Sequence, residues 1–159
     1  MYYLASDPND KIFEHNLKIC KGVFPSPSYI SATDENLKNM VSPYQVYHQD
    51  KSKEAVFEKV RSNYYPARPS RMGAIYLFPD LETAEIANQK WWGNQRNLYK
   101  TKIKNGSIVM IADSEWLNCN EEEYETNAHN YFKEKQSSNP LMEVVVMGVV
   151  ELSLESINA

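Results

Sequence analysis

Residues 142–152 read MEVVVMGVVEL, the most β-branched stretch of the chain. Valine is stiff at χ1 and suits a pleated, half-buried surface, so this run predicts one central strand over 142–152. Side chains alternate along a strand, which puts Glu143, Val145, Met147, Val149 and Glu151 on one face if no bulge intervenes. At about 3.3 Å per residue the two glutamates stand on the order of 26 Å apart, too far to serve one site. A two-carboxylate glycosidase needs roughly 5–10 Å, so that arrangement is excluded for this pair. One of them could act alone, beside a cationic transition state. The plainer alternative makes both strand-end charges that reach water.

Outward from that strand, Leu98–Ile103 and Ser107–Ala112 flank Lys104-Asn105-Gly106, and Asn-Gly predicts a hairpin because both residues accept positive φ. Ala74–Phe78 is a second buried strand. Asp80 can cap the helix that follows it, LETAEIANQKWW, with Ala84, Ala87 and Trp91 on one stripe and a stop at Gly93. Upstream, residues 53–62 space Val56, Phe57 and Val60 as one helical face, and residues 121–136 form a polar helix with Tyr124, Ala128 and Tyr131 inward. MYYLAS at the start reads as a strand stopped by Asp7-Pro8. Between Ile12 and Pro27 a short apolar-periodic piece, IFEHNLKIC, meets a break at Gly22 and a loop, PSPS. Residues 29–49 are rich in Tyr, Ser and Asn; Val41-Ser42-Pro43 argues against a continuous helix there, and a lid would be a natural use. This order does not alternate as βαβ units, so the expected class is α+β, a mixed or antiparallel sheet with helices packed on it. With no Gly-rich phosphate loop, any nucleotide must be held by side chains and strand edges.

The chain has 159 residues, which suits a single domain over 1–159 that buries about 70% of its unfolded surface. A formal charge of −4 rules out bulk electrostatic attraction to nucleic acid or membrane but leaves room for a local basic groove. No run approaches the roughly 20 apolar residues of a membrane span, and the N-terminus lacks the basic and apolar regions of a signal peptide. Cys20 and Cys119 are far apart without metal-ligand spacing, which reads as a cytoplasmic protein with free thiols. His15, His48 and His129 are dispersed, and no metal site is expected from them.

Residues 63–80, NYYPARPSRMGAIYLFPD, carry the chemistry. Arg68 and Arg71 offer planar forks of N–H donors that suit phosphate oxygens and remain charged. Pro66 and Pro69 stiffen the backbone, and Tyr64 and Tyr65 supply flat faces. The alternative is that the arginines are solvated or pair with nearby carboxylates.

The run PARPSRMGAIYLFPDLETAEIA resembles bacterial and phage toxin-like domains of the ADP-ribosyltransferase superfamily. Pro69-Ser70-Arg71, the strand Ala74–Phe78, Ala84 with Ala87, and the later strand opening Glu143-Val144-Val145-Val146 carry the likeness. NLYKTKIKNGSIVMIADSEWL is similar to the strand–turn–strand segment of that fold, and the likeness spans roughly residues 54–150. It implies a split mixed or antiparallel sheet core with flanking helices, and an enzyme that cleaves the nicotinamide–ribose bond of NAD and passes ADP-ribose to an acceptor. By the resemblance, Glu143 is the catalytic carboxylate that stabilises an oxocarbenium-like sugar. Arg71 with Arg68 holds the pyrophosphate, Ser70 organises the loop, and Tyr76 or Phe78 packs on the nicotinamide. The first strand departs from the family: where a basic residue is usual, this chain offers Tyr3 and Ser6, which could bond a ribose but supply no cation. The implied partners are NAD and a macromolecular acceptor, protein or nucleic acid, together with a cognate antitoxin. Trp91-Trp92 followed by Gly93-Asn94-Gln95-Arg96-Asn97 is a surface on which bases could stack. Two alternatives stand beside transfer: an NAD glycohydrolase with water as acceptor, and a non-catalytic binding module on the same scaffold.

Overall fold

The computed structural model describes residues 1–38 and 51–158. Its frame is two antiparallel sheets. The first contains β1 (Tyr2–Ser6), β2 (Val23–Pro25), β4 (Asn97–Ile103) and β7 (Val149–Leu152) in the order β1-β4-β7-β2; the second orders β3 (Ile75–Leu77), β6 (Met142–Met147) and β5 (Ile108–Asp113) as β3-β6-β5. Helices pack on this frame, so the α+β class expected from the element order is the class found.

The run 142–152 is two strands rather than one. Gly148, at φ 157°, separates β6 from β7, and the chain passes there from the second sheet to the first. A Cβ at 148 would lie 2.1 Å from Ser107 Oγ and 2.7 Å from Ser107 Cα, so only glycine fits the corner. Ser26 fastens it: the Gly148 N–H donates to Ser26 Oγ (3.0 Å) and the Ser26 N–H to the Gly148 carbonyl (2.7 Å). Glu143 and Glu151 therefore belong to different sheets, and Glu151 pairs with Lys104 near the turn.

The expected hairpin is corrected by the same corner. The Lys104–Ser107 turn exists, with Gly106 at φ 85° and the Ser107 N–H donating to Lys104 (3.4 Å). Its two strands do not pair with each other. β4 bonds to β1 and β7, while β5 bonds to β6. Two neighbouring chain segments thus cross between the sheets, and Ser107 against Gly148 marks the crossing.

Between the sheets, Leu77, Val144 and Val146 meet Tyr99, Val150 and Leu152. On the other face of the second sheet, Met110, Ala112 and Val145 meet α3 (Lys51–Tyr64) and α5 (Tyr124–Phe132) through Phe57, Val60, Ala128, Tyr131 and Phe132. Each fully buried large apolar side chain here contributes about 1.5–3 kcal/mol. α4 (Leu81–Trp92) sets Ala84 and Ala87 against Phe78, Leu98 and Leu141. Its ends are those expected: Asp80 Oδ1 accepts from the Thr83 N–H (2.8 Å), and Gly93 closes it in the left-handed region at φ 58°.

Other boundaries shift. α1 (Lys11–Ile19) is capped by Asp10, which accepts from the Phe13 N–H (2.9 Å). The PSPS segment is a helix start as well as a loop: Ser26 accepts from the Tyr29 N–H (3.2 Å) and Pro27 takes the first position of α2 (Pro27–Thr33), where its missing N–H costs nothing. α5 stops at Phe132 rather than at 136, because Glu134 turns left-handed at φ 58°. Residues 39–49 of the stretch read as a lid, Val41-Ser42-Pro43 and His48 included, lie outside the described residues. Among the described residues no helix is long and apolar enough to cross a membrane, and no disulfide joins Cys20 to Cys119.

Candidate active site

The prolines and arginines of residues 63–71 tie a loop to α3. Arg61, one turn from the end of α3, grips Glu58 (2.7 Å) and donates to the carbonyls of Arg68 (3.0 Å) and Pro66 (3.4 Å). Ser70 Oγ donates to Glu58 (2.8 Å) and accepts from the Met72 N–H (3.3 Å), capping the single 3-10 turn Arg71–Gly73. That turn delivers Arg71 into the interior, where only 4% of it is exposed.

There Arg71 meets side chains from four other elements. Its Nε donates to both oxygens of Glu54 on α3 (3.2 and 3.1 Å). Its Nη1 donates to the Tyr131 hydroxyl on α5 (2.6 Å) and to Glu143 Oε1 on β6 (2.7 Å). Tyr131 in turn donates to the same Oε1 (2.6 Å). The guanidinium carbon lies 5.0 and 5.2 Å from the ring centres of Tyr131 and Tyr76, within cation–π range, and the Tyr76 hydroxyl bonds the Arg71 carbonyl (2.5 Å). Burial works against the Arg71 charge, but Tyr131, Tyr76, Glu143 and Glu54 around it outweigh that and hold its pKa well above the ordinary value. Burial, reinforced by Glu143, pushes the Tyr131 phenol well above its usual range despite Arg71, so it serves as a neutral donor. One guanidinium between two carboxylates leaves a formal charge of −1 in the described cluster.

The cluster opens on one side into a cleft of about 270 Å³, lined by Arg71, Glu143, Tyr76, Phe78, Ala5, Leu77 and the two indoles Trp91 and Trp92. Its walls are aromatic and aliphatic, and its charged groups are the Arg71–Glu143 pair. Trp91 lies 5.9 Å from Phe78 and stands edge-on to Trp92 at 5.4 Å, so the last turn of α4 forms one wall. Both side-chain hydrogen bonds to Glu143 from described residues land on Oε1, which leaves Oε2 without a partner among the described residues, on a residue that borders the cleft.

The sequence reading placed Glu143, Arg71, Tyr76 and Phe78 in one site, and all four line this cleft. Two expectations, those for Arg71 and Arg68, are corrected. Arg71 and Glu143 touch, so no dinucleotide passes between them, and the Arg71 fork is committed to Glu54, Tyr131 and Glu143 rather than offered to a pyrophosphate. Arg68 does not reach the cleft: it pairs with Glu134 (2.7 Å) at the surface. Ser70 serves the loop through Glu58 and does not line the cleft. On the first strand, Tyr3 exchanges backbone bonds with Phe78 (3.0 and 2.7 Å), stitching the two sheets together, and Ser6 Oγ lies 3.5 Å from the Asp7 carbonyl. The β1 side chain that borders the cleft is Ala5.

Glu54 and Tyr131 were missed as site residues. Glu54 is only 1% exposed, one turn before Phe57 on the inward stripe of α3, and a charged residue in phase with Phe57 and Val60 was the available signal. Tyr131 was expected inward, but nothing local marks an inward tyrosine as a hydrogen-bond donor to a residue of another element. Among the described residues no three or more His, Cys, Asp or Glu side chains converge as a metal site. No curated protein matches the chain significantly. A family model matches residues 5–159, all but the first four residues, and the chain therefore belongs to the family described as a protein of unknown function (DUF2441).

Proposed function

We propose that the cleft binds the nicotinamide–ribose end of NAD and that Glu143 promotes departure of nicotinamide, with ADP-ribose passed to a macromolecular acceptor. The observation that carries this reading is the half-anchored carboxylate: Glu143 Oε1 is fixed by Arg71 and Tyr131, while Oε2 is left for a ligand in an aromatic cleft. As the C1–N bond breaks, its electron pair neutralises the pyridinium ring, which leaves as nicotinamide, and the positive charge moves from that ring to C1–O4 of the ribose. A carboxylate beside the ribose, in a described cluster of formal charge −1, lies nearer that charge once it has left the ring, so its attraction grows towards the transition state. At an effective dielectric near 20, unit charges 4 Å apart attract by roughly 4 kcal/mol, about a thousandfold in rate. The aromatic walls suit a flat pyridine ring, and fixing Oε1 spares the carboxylate reorganisation when the charge appears. Arg71 acts as a positioning residue.

The likeness to the ADP-ribosyltransferase superfamily supports the same donor. A cognate antitoxin, if the chain is a toxin, would be a partner of this face. Labelled NAD incubated with separated protein, RNA and DNA tests the proposal: label is expected in one macromolecular fraction, with nicotinamide released in equal amount. Glu143→Gln should lower nicotinamide release about a thousandfold. Free ADP-ribose as the sole product would make water the acceptor. No release of nicotinamide from any mixture would sink the enzymatic reading and leave a binding module.

A further inference from the structure

The tryptophan wall of the cleft is shared. Trp91 and Trp92 also border a second, wider groove of about 700 Å³, whose other side is formed by the end of β1 and the loop after α4: Asp7, Asn9, Gln95 and Arg96. We propose that this groove binds the adenosine-diphosphate half of the dinucleotide, with Arg96 on the phosphates and Trp91 against the adenine. The inference rests on the reading of the inner cleft as the nicotinamide site and extends it to the rest of the molecule.

Size is the first argument. A cleft of about 270 Å³ falls just below the roughly 300–1,000 Å³ usual for drug-sized ligands, which leaves room for one ring and its sugar but not for a whole dinucleotide. The remainder needs a neighbouring site, and this groove shares the wall formed by Trp91 and Trp92. Chemistry is the second. The groove joins a guanidinium, an indole surface and two side-chain amides, which are the groups that meet phosphate, a purine face and the hydrogen-bonding edge of a base. Trp91 is 37% exposed, so an indole surface is available. Among the described residues that line the inner cleft there is no such cation to offer, because the Arg71 fork is committed to its protein partners.

Preorganisation is the third. The Arg96 backbone is clamped by the buried Asn88, whose Oδ1 accepts from the Arg96 N–H (3.0 Å) and whose Nδ2 donates to the Arg96 carbonyl (3.0 Å). Asn158 Nδ2 donates to that carbonyl as well (2.9 Å). The guanidinium carbon sits 5.2 Å from the Trp92 ring centre. Its carboxylate partner is Asp7, at 2.8 Å, with side chains 26% and 45% exposed. A screened pair of this kind is weakly held, so a diphosphate that carries two negative charges can displace or share it. Arg96 also answers the departure on the first strand: through Asp7 it stands at the end of β1, where the strand itself offers no basic residue.

Titrations of the intact protein with ADP and, separately, with nicotinamide mononucleotide, read by tryptophan fluorescence and calorimetry, test the inference. The expected result is that ADP binds and that Arg96→Ala weakens it tenfold or more, with Trp91→Leu weakening it too, while nicotinamide mononucleotide binds the parent protein and Arg96→Ala alike. Arg96→Lys should recover only part of the loss, because the planar fork is missing. Absence of ADP binding, or ADP binding that Arg96→Ala leaves unchanged, overturns the inference; persistent mononucleotide binding in that case preserves the inner-cleft reading. Loss of mononucleotide binding with ADP binding intact and dependent on Arg96 would fail the inner cleft and keep the groove as a nucleotide site. A single-stranded oligonucleotide that binds through Arg96 where ADP does not would assign the groove to the acceptor and overturn the inference.

Discussion

Two arginine–carboxylate pairs flank the indoles of Trp91 and Trp92, and they are almost the same length. Arg71–Glu143 is 2.7 Å and Arg96–Asp7 is 2.8 Å. Burial separates them. The inner side chains are 4% and 9% exposed and share hydrogen bonds with Glu54 and Tyr131; the outer ones are 26% and 45% exposed. The inner pair has given up most of its water, so each partner depends on the other for charge compensation. The outer pair keeps its water and can exchange partners at little cost. Distance alone would have ranked them as equals. One is suited to hold a catalytic group still, and the other to let a charged ligand in.

The largest effect follows from removing the inner cation. Arg71→Ala leaves Glu54 and Glu143 buried with no guanidinium between them, and breaking a buried pair costs about 3–5 kcal/mol. Small domains are stable by about 5–15 kcal/mol, so the urea midpoint should fall steeply. Adding Glu54→Gln and Glu143→Gln to Arg71→Ala removes the stranded charges and should restore part of the loss. A change below about 1 kcal/mol for Arg71→Ala would mean that the cluster is hydrated, and the contrast between the two pairs would collapse.

How much of this was legible follows the range of each signal. α4 was readable from Asp80 to Gly93 because both ends are set by local chemistry, a carboxylate cap and a left-handed glycine. The turn at Asn105-Gly106 was readable as a bend for the same reason. That β4 and β5 then part company was not, since their partners β1, β7 and β6 are distant in sequence and decide the pairing. Gly148 within a valine run was the cue for the corner at 148, but the clash that demands it involves Ser107, forty-one positions earlier. Ser26-Pro27 carried an N-cap signature that its loop-like composition concealed. For the site, the types at 71, 76, 78 and 143 suggested chemistry, whereas the contact of Arg71 with Glu143 depends on three elements meeting. Glu54 sat in view as an ordinary surface-type residue, and Arg96 within a stretch read as a base-stacking surface. Burial makes the first a partner of Arg71, and a cleft shared through two indoles makes the second a candidate.

Asp113 sharpens the comparison as a buried acid whose bonded partners are backbone N–H groups. Fully buried at the end of β5, it accepts from the N–H groups of Glu115 (3.0 Å), Ser137 (2.7 Å) and Leu141 (3.0 Å). Burial alone would raise its pKa, but the side chain and N–H of Ser137 foremost, with the N–H groups of Glu115 and Leu141, outweigh burial and hold it below the usual carboxylate value. A depressed native pKa means that the unfolded chain takes up the proton first. The stabilisation is therefore complete above the ordinary pKa near 3.8 and lost as pH falls through the native value. Asp113→Asn should cost about 1–3 kcal/mol at pH 7, less than Arg71→Ala, with the gap to the parent protein narrowing below about pH 4. Urea midpoints at pH 7 and pH 3 check this. A gap that stays constant with pH would show that the donors do not act through the ionised form.

The smallest effect on stability is expected at the outer pair, and there a small number is informative. Arg96→Ala removes a guanidinium that rests on Trp92 and a half-exposed Asp7, while Asn88 and Asn158 continue to hold the loop through the backbone of residue 96. The urea midpoint should move by no more than about a tenth of the Arg71→Ala shift, because solvent already screens the pair. Raising the salt concentration should erase even that difference, whereas it should leave the Arg71→Ala effect largely in place. A loss at Arg96 comparable with that at Arg71 would make the outer arginine a structural strut. It could not then release Asp7 for a phosphate without loosening the wall that the two clefts share.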